Sequence, residues 1–202
     1  MKATVMIKKK YRTGTIRLQG FDYGIDGAYF ITVCSYERQL IFSEIVDGKV
    51  LLSALGKMID EELEKTWQLR KYATVTEWII MPNHFHCVIF IHKDADEPEH
   101  LAPHGNYLYF PEGYKNRFGP QRENLASIIR GIKSAVTTRA KISGIPTPIW
   151  QPNYYEHIVR NQMELERIVL YVKQNPYTWE QDANFPLLDR DGEQNVNFPD
   201  NM

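Results

Sequence analysis

Two strongly β-forming stretches, Glu77-Trp78-Ile79-Ile80 and Cys87-Val88-Ile89-Phe90-Ile91, are joined by Met81-Pro82-Asn83-His84-Phe85-His86. Pro-Asn is a turn signal, so the spacing predicts a hairpin of strands 73–81 and 84–92. A hairpin this apolar must be covered by the rest of the chain. Along a strand, residues i and i+2 share a face. His84 and His86 therefore project together, while Phe85 points the other way into a core. Two neutral imidazoles side by side form half of a metal site. The same spacing also fits two hydrogen-bonded strand histidines, so the weight rests on what else meets them.

The other elements follow from periodicity. Ala28–Cys34 is rich in β-formers and reads as the first core strand. Ser53 is a helix cap, and Leu55, Met58, Ile59, Leu63 and Trp67 predict a helix over 54–69. Leu125, Ile128, Ile129, Ile132 and Val136 predict a second helix over 123–141, ended by Gly144, Pro146 and Pro148. A fourth strand falls within Trp150–Arg160. A third helix, 164–174, turns Leu165, Ile168, Val169 and Val172 inward and stops at Pro176. The order β-α-β-β-α-β plus a terminal helix predicts an α+β fold of the ferredoxin-like split β-α-β kind: one antiparallel sheet with helices on a single face.

At 202 residues, one domain with appendages is expected. Residues 1–27 read as a basic arm, 28–180 as the domain, 93–121 as an aperiodic insertion and 181–202 as an acidic tail. A connection as long as that insertion is usually functional or mobile. Cys34 and Cys87 lie in apolar runs and read as core residues rather than a disulfide. With no membrane-length apolar run and no signal peptide, a cytoplasmic protein without a membrane partner is expected. The net charge of −1 conceals segregation: residues 1–20 carry +6, 121–141 carry +4, and 180–202 carry −5. Segregated positive charge binds phosphates even in a neutral protein, although most charge runs are simply solvated.

Tyr171 and Asn175 share a helix face at i and i+4. Tyr171 sits at the edge of the apolar stripe, where a phenol can reach a cleft between helix and sheet. Asn175 can add an amide oxygen to a metal held by His84 and His86. A lone helical tyrosine is more often a residue with its ring in the core and its hydroxyl wet. His157 reads as a hydrogen-bonded structural histidine, Glu77 as a minor candidate ligand, and His92, His100 and His104 as exposed loop residues.

Met81–His86 with its following strand resembles the His-hydrophobe-His signature of the HUH single-tyrosine transposases. The run Ile149–Asn161 is similar to the block before the nucleophile in REP-associated tyrosine transposases. Tyr171-Val172-Lys173-Gln174-Asn175-Pro176 resembles their nucleophile helix, and Tyr29–Cys34 with Glu37-Arg38 their first strand and turn. The match spans roughly residues 28–180; the 93–121 insertion and the acidic tail depart from it.

The resemblance implies a nuclease acting on single-stranded DNA with hairpin structure. Tyr171 would attack phosphorus to give a 5′-phosphotyrosine and a free 3′-hydroxyl. Mg²⁺ or Mn²⁺ on His84, His86 and Asn175 would polarise the phosphate. Lys8, Lys9, Lys10, Arg12, Arg130, Lys133 and Arg139 would bind DNA phosphates. Lys173 turns away from Tyr171. Tyr154 and Tyr155 are rival nucleophiles, one facing the core and one the opposite side, better suited to packing or base stacking. A homodimer and a one-chain site both stay open. The alternative is a non-cleaving single-stranded DNA or hairpin-binding protein of the same fold, which would have no use for the His84, His86, Tyr171 and Asn175 set.

Overall fold

Strand β5 (His84–Ile91) is buried at every residue, and the fold is the consequence of covering both of its faces. A strand covered on both sides reads as a continuous apolar run, as Cys87–Ile91 does. The computed structural model describes residues 22–93, 122–182, 184, 187–188 and 194–195. The basic residues Lys8, Lys9, Lys10 and Arg12 and most of the 93–121 insertion lie outside them.

In chain order the elements are β1 (Gly27–Cys34), β2 (Ser43–Val46), β3 (Lys49–Leu52), α1 (Ala54–Glu64), α2 (Thr66–Leu69), β4 (Ala73–Ile80), β5, α3 (Leu125–Ile142), β6 (Tyr155–Val159) and α4 (Gln162–Gln174). A short ladder of β7 (Leu187–Leu188) and β8 (Gln194–Asn195) follows. The main sheet runs β4-β5-β1-β6 with every neighbour antiparallel. The result is an α+β fold: an antiparallel sheet flanked by helices, with a further helix after the last strand of that sheet. Among the described residues no helix is long and apolar enough to cross a membrane.

One face of the sheet carries Tyr29, Ile31, Val33, Phe85, Cys87, Ile89 and Ile91, packed against Leu55, Ile59 and Leu63 of α1 and Leu125, Ile128, Ile132 and Val136 of α3. Each such aliphatic side chain contributes roughly 1.5–3 kcal/mol when fully buried. The opposite face carries Ala28, Phe30, Val88, Phe90 and Val159 and is covered by Leu165 and Ile168 of α4. It is also the face of His84 and His86.

Three local features differ from the periodic reading. The predicted helix 54–69 is two helices, broken at Lys65, which caps one and starts the other. The hairpin β2-β3 has no predicted counterpart. Strand β4 contains a bulge: Val75 pairs with Ile89 and Glu77 with Val88, leaving Thr76 as the extra residue. The bulge keeps Val75, Trp78 and Ile80 on the helix side and turns Glu77 and Ile79 to the histidine side. The Trp78 indole accordingly donates to Asp60 of α1 at 2.7 Å, while Glu77 meets Lys173 of α4 at 3.2 Å.

Candidate active site

Helix α4 starts at Gln162, two residues before the start expected from periodicity. Asn161 accepts from the Glu164 backbone at 2.9 Å, the capping geometry expected of Asn before a helix. Glu164 reaches back to the Arg160 backbone at 2.6 Å and to His157 at 2.8 Å, tying the helix start to β6. His157 is thus a bonded structural histidine. With Leu165, Ile168 and Val172 packed down, the last turn of α4 brings Tyr171 over β5.

There the phenol oxygen of Tyr171 stands 3.2 Å from His86 Nε2 and donates to Asp182 Oδ2 at 3.0 Å. The ring makes an edge contact with His86 at 5.3 Å and with Phe30 at 6.1 Å, and stays 42% exposed. His84 and His86 are buried, with their Nε2 atoms 3.0 Å apart. The chain continues from α4 into a 3₁₀ segment, Asn175–Gln181. It sets Trp179 against the His84 ring at 5.9 Å and delivers Asp182. His84, His86 and Asp182 present ligand atoms all within 4.8 Å of one another.

Hydrogen bonds fix the imidazole orientations. The Asn83 amide donates to the Asn184 carbonyl at 2.8 Å, so its oxygen is the group facing His84 Nδ1 at 2.9 Å. His84 Nδ1 therefore carries the proton and Nε2 the lone pair. His86 Nδ1 lies 2.8 Å from the Thr32 hydroxyl, which can donate or accept. With Nδ1 protonated, both Nε2 lone pairs face one space, and they repel unless a proton or a cation lies between them.

Burial pushes His84 well below the ordinary imidazole range, with His86 and Arg38 adding to the effect. Burial likewise pulls His86 down to about 4, against the opposing pull of the Asp182 carboxylate. Both rings are neutral at neutral pH, the form in which an imidazole can hold a metal. Burial, then the Asp182 charge, raises the Tyr171 phenol above its usual value, so it holds its proton.

The donor set fits a hard divalent cation with nitrogen tolerance. Two donors about 2.1 Å from an octahedral ion at right angles lie about 3.0 Å apart, which matches the imidazole pair. Asn175 is fully buried, its NH₂ donates to Asp182 Oδ2 at 2.7 Å, and its oxygen has no hydrogen-bond partner among the described residues. An unpaired buried acceptor is costly, and a cation would satisfy it.

The remaining predicted residues fall as follows. Lys133 donates to the carbonyls of Gln151 at 3.0 Å and Asn153 at 2.5 Å, and burial lowers it to about 8. Arg139 pairs with Glu61 at 2.7 Å and Glu62 at 3.1 Å. Both thus have partners within the chain; Arg130 lies on an exposed face of α3. Lys173 and Glu77 pair with each other. Tyr154 packs on the main core and Tyr155 lies exposed on the opposite face, as the alternation predicts. His92 is a correction: it is buried, with Nε2 2.9 Å from Thr74, because it directly follows β5 and its N–H is held by the Tyr72 carbonyl at 2.9 Å.

Sequence reasoning missed Asp182, Asn184, Thr32 and Arg38. Asp182 is one of six acids in residues 180–202, and nothing in its neighbours singles it out.

No family model matches the chain. Its fold is similar to that of a REP-associated tyrosine transposase solved bound to a REP hairpin, with TM-score 0.53, 20% identity, 83% of this chain and 74% of that chain covered. That likeness to HUH-type transposases is one of structure, at low sequence identity. An uncharacterized protein of Haemophilus influenzae is 30% identical over 178 residues, covering 86% of this chain and 96% of the other. At that identity and coverage, this chain and the Haemophilus influenzae protein belong to one family.

Proposed function

We propose that this chain nicks and transfers single-stranded DNA at hairpin-containing repeats, with Tyr171 as nucleophile and Mg²⁺ or Mn²⁺ as cofactor. The observation that carries the reading is the 3.2 Å approach of the phenol oxygen to a buried imidazole pair, made within one chain. The interleaved sheet order supports a ferredoxin-like split β-α-β domain spanning 28–180, between the basic arm 1–27 and the tail 181–202. The fold likeness to a hairpin-bound transposase supports the substrate class.

His84 and His86 would hold the cation through Nε2, joined by an oxygen of Asp182 or Asn175. The bound ion would polarise a non-bridging oxygen of the scissile phosphate and offset developing charge. Tyr171 Oη forms the bond to phosphorus as the bond to the 3′ oxygen breaks. The phenol proton passes to Asp182 Oδ2, its present acceptor, and the 3′ oxygen leaves as a hydroxyl after protonation from solvent. Phe30 and His86 hold the ring in line. Because one phosphoester replaces another, rejoining needs no outside energy source. Lys8, Lys9, Lys10, Arg12, Arg130, Lys133 and Arg139 would contact flanking phosphates, and Lys133 and Arg139 would have to leave their intrachain partners to do so.

The test is a single-stranded hairpin oligonucleotide, carrying the repeats beside the chain's own gene, incubated with Mn²⁺. A covalent adduct should form with the native chain and with Tyr155→Phe, and should vanish in Tyr171→Phe. An adduct that survives Tyr171→Phe and disappears in Tyr155→Phe overturns the assignment. Salt-sensitive hairpin binding with no adduct under Mg²⁺ or Mn²⁺ points instead to the non-cleaving binder.

A further inference from the structure

Beyond the imidazoles and the phenol, one cation is built into the same corner of the fold. Strand β1 ends at Cys34, whose partner across the sheet is His84. The chain then turns through Ser35–Gln39, closed by Arg38 N–H to Ser35 oxygen at 3.2 Å and Gln39 N–H to Tyr36 oxygen at 3.2 Å. Glu37 and Arg38 both adopt left-handed backbone, φ 51° and 57°. Consecutive non-glycine residues rarely do so, and such strain persists where surrounding contacts enforce it. The turn delivers the Arg38 guanidinium to the side-chain oxygen of Asn184. Asn184 in turn donates to Asp182 Oδ1 twice, from its backbone at 2.6 Å and its amide at 2.8 Å, and accepts from Asn83, the residue that orients His84. Arg38 is therefore wired to both halves of the proposed cation site.

A guanidinium beside two imidazoles opposes their holding a cation. Through Asn184 it stands one hydrogen-bonded residue from both Asp182 and the Asn83 that orients His84, so its charge works against a metal ion held there. Such an arrangement makes sense when an anion comes between. Two neutral imidazoles, one divalent cation and one guanidinium, with the Asp182 carboxyl neutralised by the phenol proton, leave three positive charges. A phosphodiester under attack by an oxygen nucleophile carries two negative ones. The guanidinium fork also matches two phosphate oxygens, which an ammonium cannot do.

We infer that Arg38 is a phosphate-binding residue of this site, holding the non-bridging oxygens of a phosphodiester against the cation side formed by His84, His86 and Asp182. This deepens the proposed nicking reaction and rests on it for the identity of the substrate. Arg38 is not a ligand of the cation and does not move a proton. Its hydrogen bond to Asn184 holds the fork in place until phosphate arrives.

The experiment uses the full chain as native, Arg38→Gln and Arg38→Lys forms, each checked for an unchanged melting transition. Mn²⁺ affinity and inorganic phosphate affinity, with and without Mn²⁺, are measured by calorimetry. Arg38→Gln should bind Mn²⁺ as tightly as the native chain or several-fold tighter, and should bind phosphate at least tenfold more weakly. Arg38→Lys should fall between them for phosphate. In the hairpin assay, adduct formation should slow about a hundredfold in Arg38→Gln. Phosphate affinity unchanged within twofold, or no phosphate binding by the native chain, overturns the inference. So does a parallel loss of Mn²⁺ and phosphate in both variants, since Arg38 would then be only a pin for Asn184. If phosphate binding depends on Arg38 but the native chain forms no adduct, the inference stands and the nicking reading fails.

Discussion

The Tyr171 phenol oxygen and His86 Nε2, from residues 85 apart in sequence, lie 3.2 Å apart over the outer face of the sheet. Helix α4 makes this meeting possible by packing Leu165 and Ile168 onto Phe30 and Val88. The site is therefore as rigid as the packing beneath it, and its chemistry can be tested apart from the fold.

Cation binding should register as stability. A ligand at 100 times its dissociation constant adds about 2.7 kcal/mol to a protein that binds it only when folded. For a chain of this size that is roughly 5–11 °C in melting temperature. Mn²⁺ should raise the native transition by about this amount. His84→Ala or His86→Ala should abolish the rise, and a full shift in both variants would remove the metal site.

The third donor can be decided between Asp182 and Asn175. Asp182 has its carboxylate within ligand reach of both imidazoles, whereas Asn175 offers a buried oxygen with no partner among the described residues. Asp182→Asn removes the only charge of the set and should weaken Mn²⁺ by about 10–100-fold. Asn175→Ala should weaken it less and mainly loosen Asp182. Titration of Mn²⁺ against both variants measures this; the reverse ranking makes Asn175 the ligand.

Acid should unfold the chain partly through its imidazole pair. His86 is held at about 4 in the folded state, below the ~6.5 of an unfolded histidine. The unfolded state thus binds more protons between those values. Stability is full above pH 6.5 and is lost as pH falls toward 4. Denaturant titrations of the metal-free chain should show this slope, and His86→Asn should flatten it. Protons compete for the same nitrogens, so Mn²⁺ affinity should fall over the same range.

Packing at the α1 start makes a stability prediction remote from the site. A Cβ on Gly56 would lie 2.1 Å from the Phe42 carbonyl oxygen, a backbone atom already accepting from Ser53 N–H at 2.9 Å. Gly56→Ala should cost about 1–3 kcal/mol, or roughly 2–12 °C in melting temperature. Mn²⁺ should still stabilise the variant by the native increment.

Much of the fold is local physics and was legible in the residues. Alternation over 84–91 put His84 and His86 on one face and Phe85 in the core. Ser53 marked the start of α1, and Leu165 and Ile168 marked the packed side of α4. What periodicity does not mark is local too: the Thr76 bulge adds one residue without changing composition, and it sets which face Glu77 and Ile79 occupy.

By itself, the sequence determined the main-sheet strands and the long helices, their order, the imidazole pair and the tyrosine poised at a helix edge, because these depend on neighbours within a few positions. Only the tertiary structure decided that Asp182 and Asn184, in an acidic stretch without pattern, close over that pair, and that Lys133 and Arg139 spend their charge inside the chain. Those partners are set by where the backbone returns after packing its apolar faces, and no short-range spacing encodes that return.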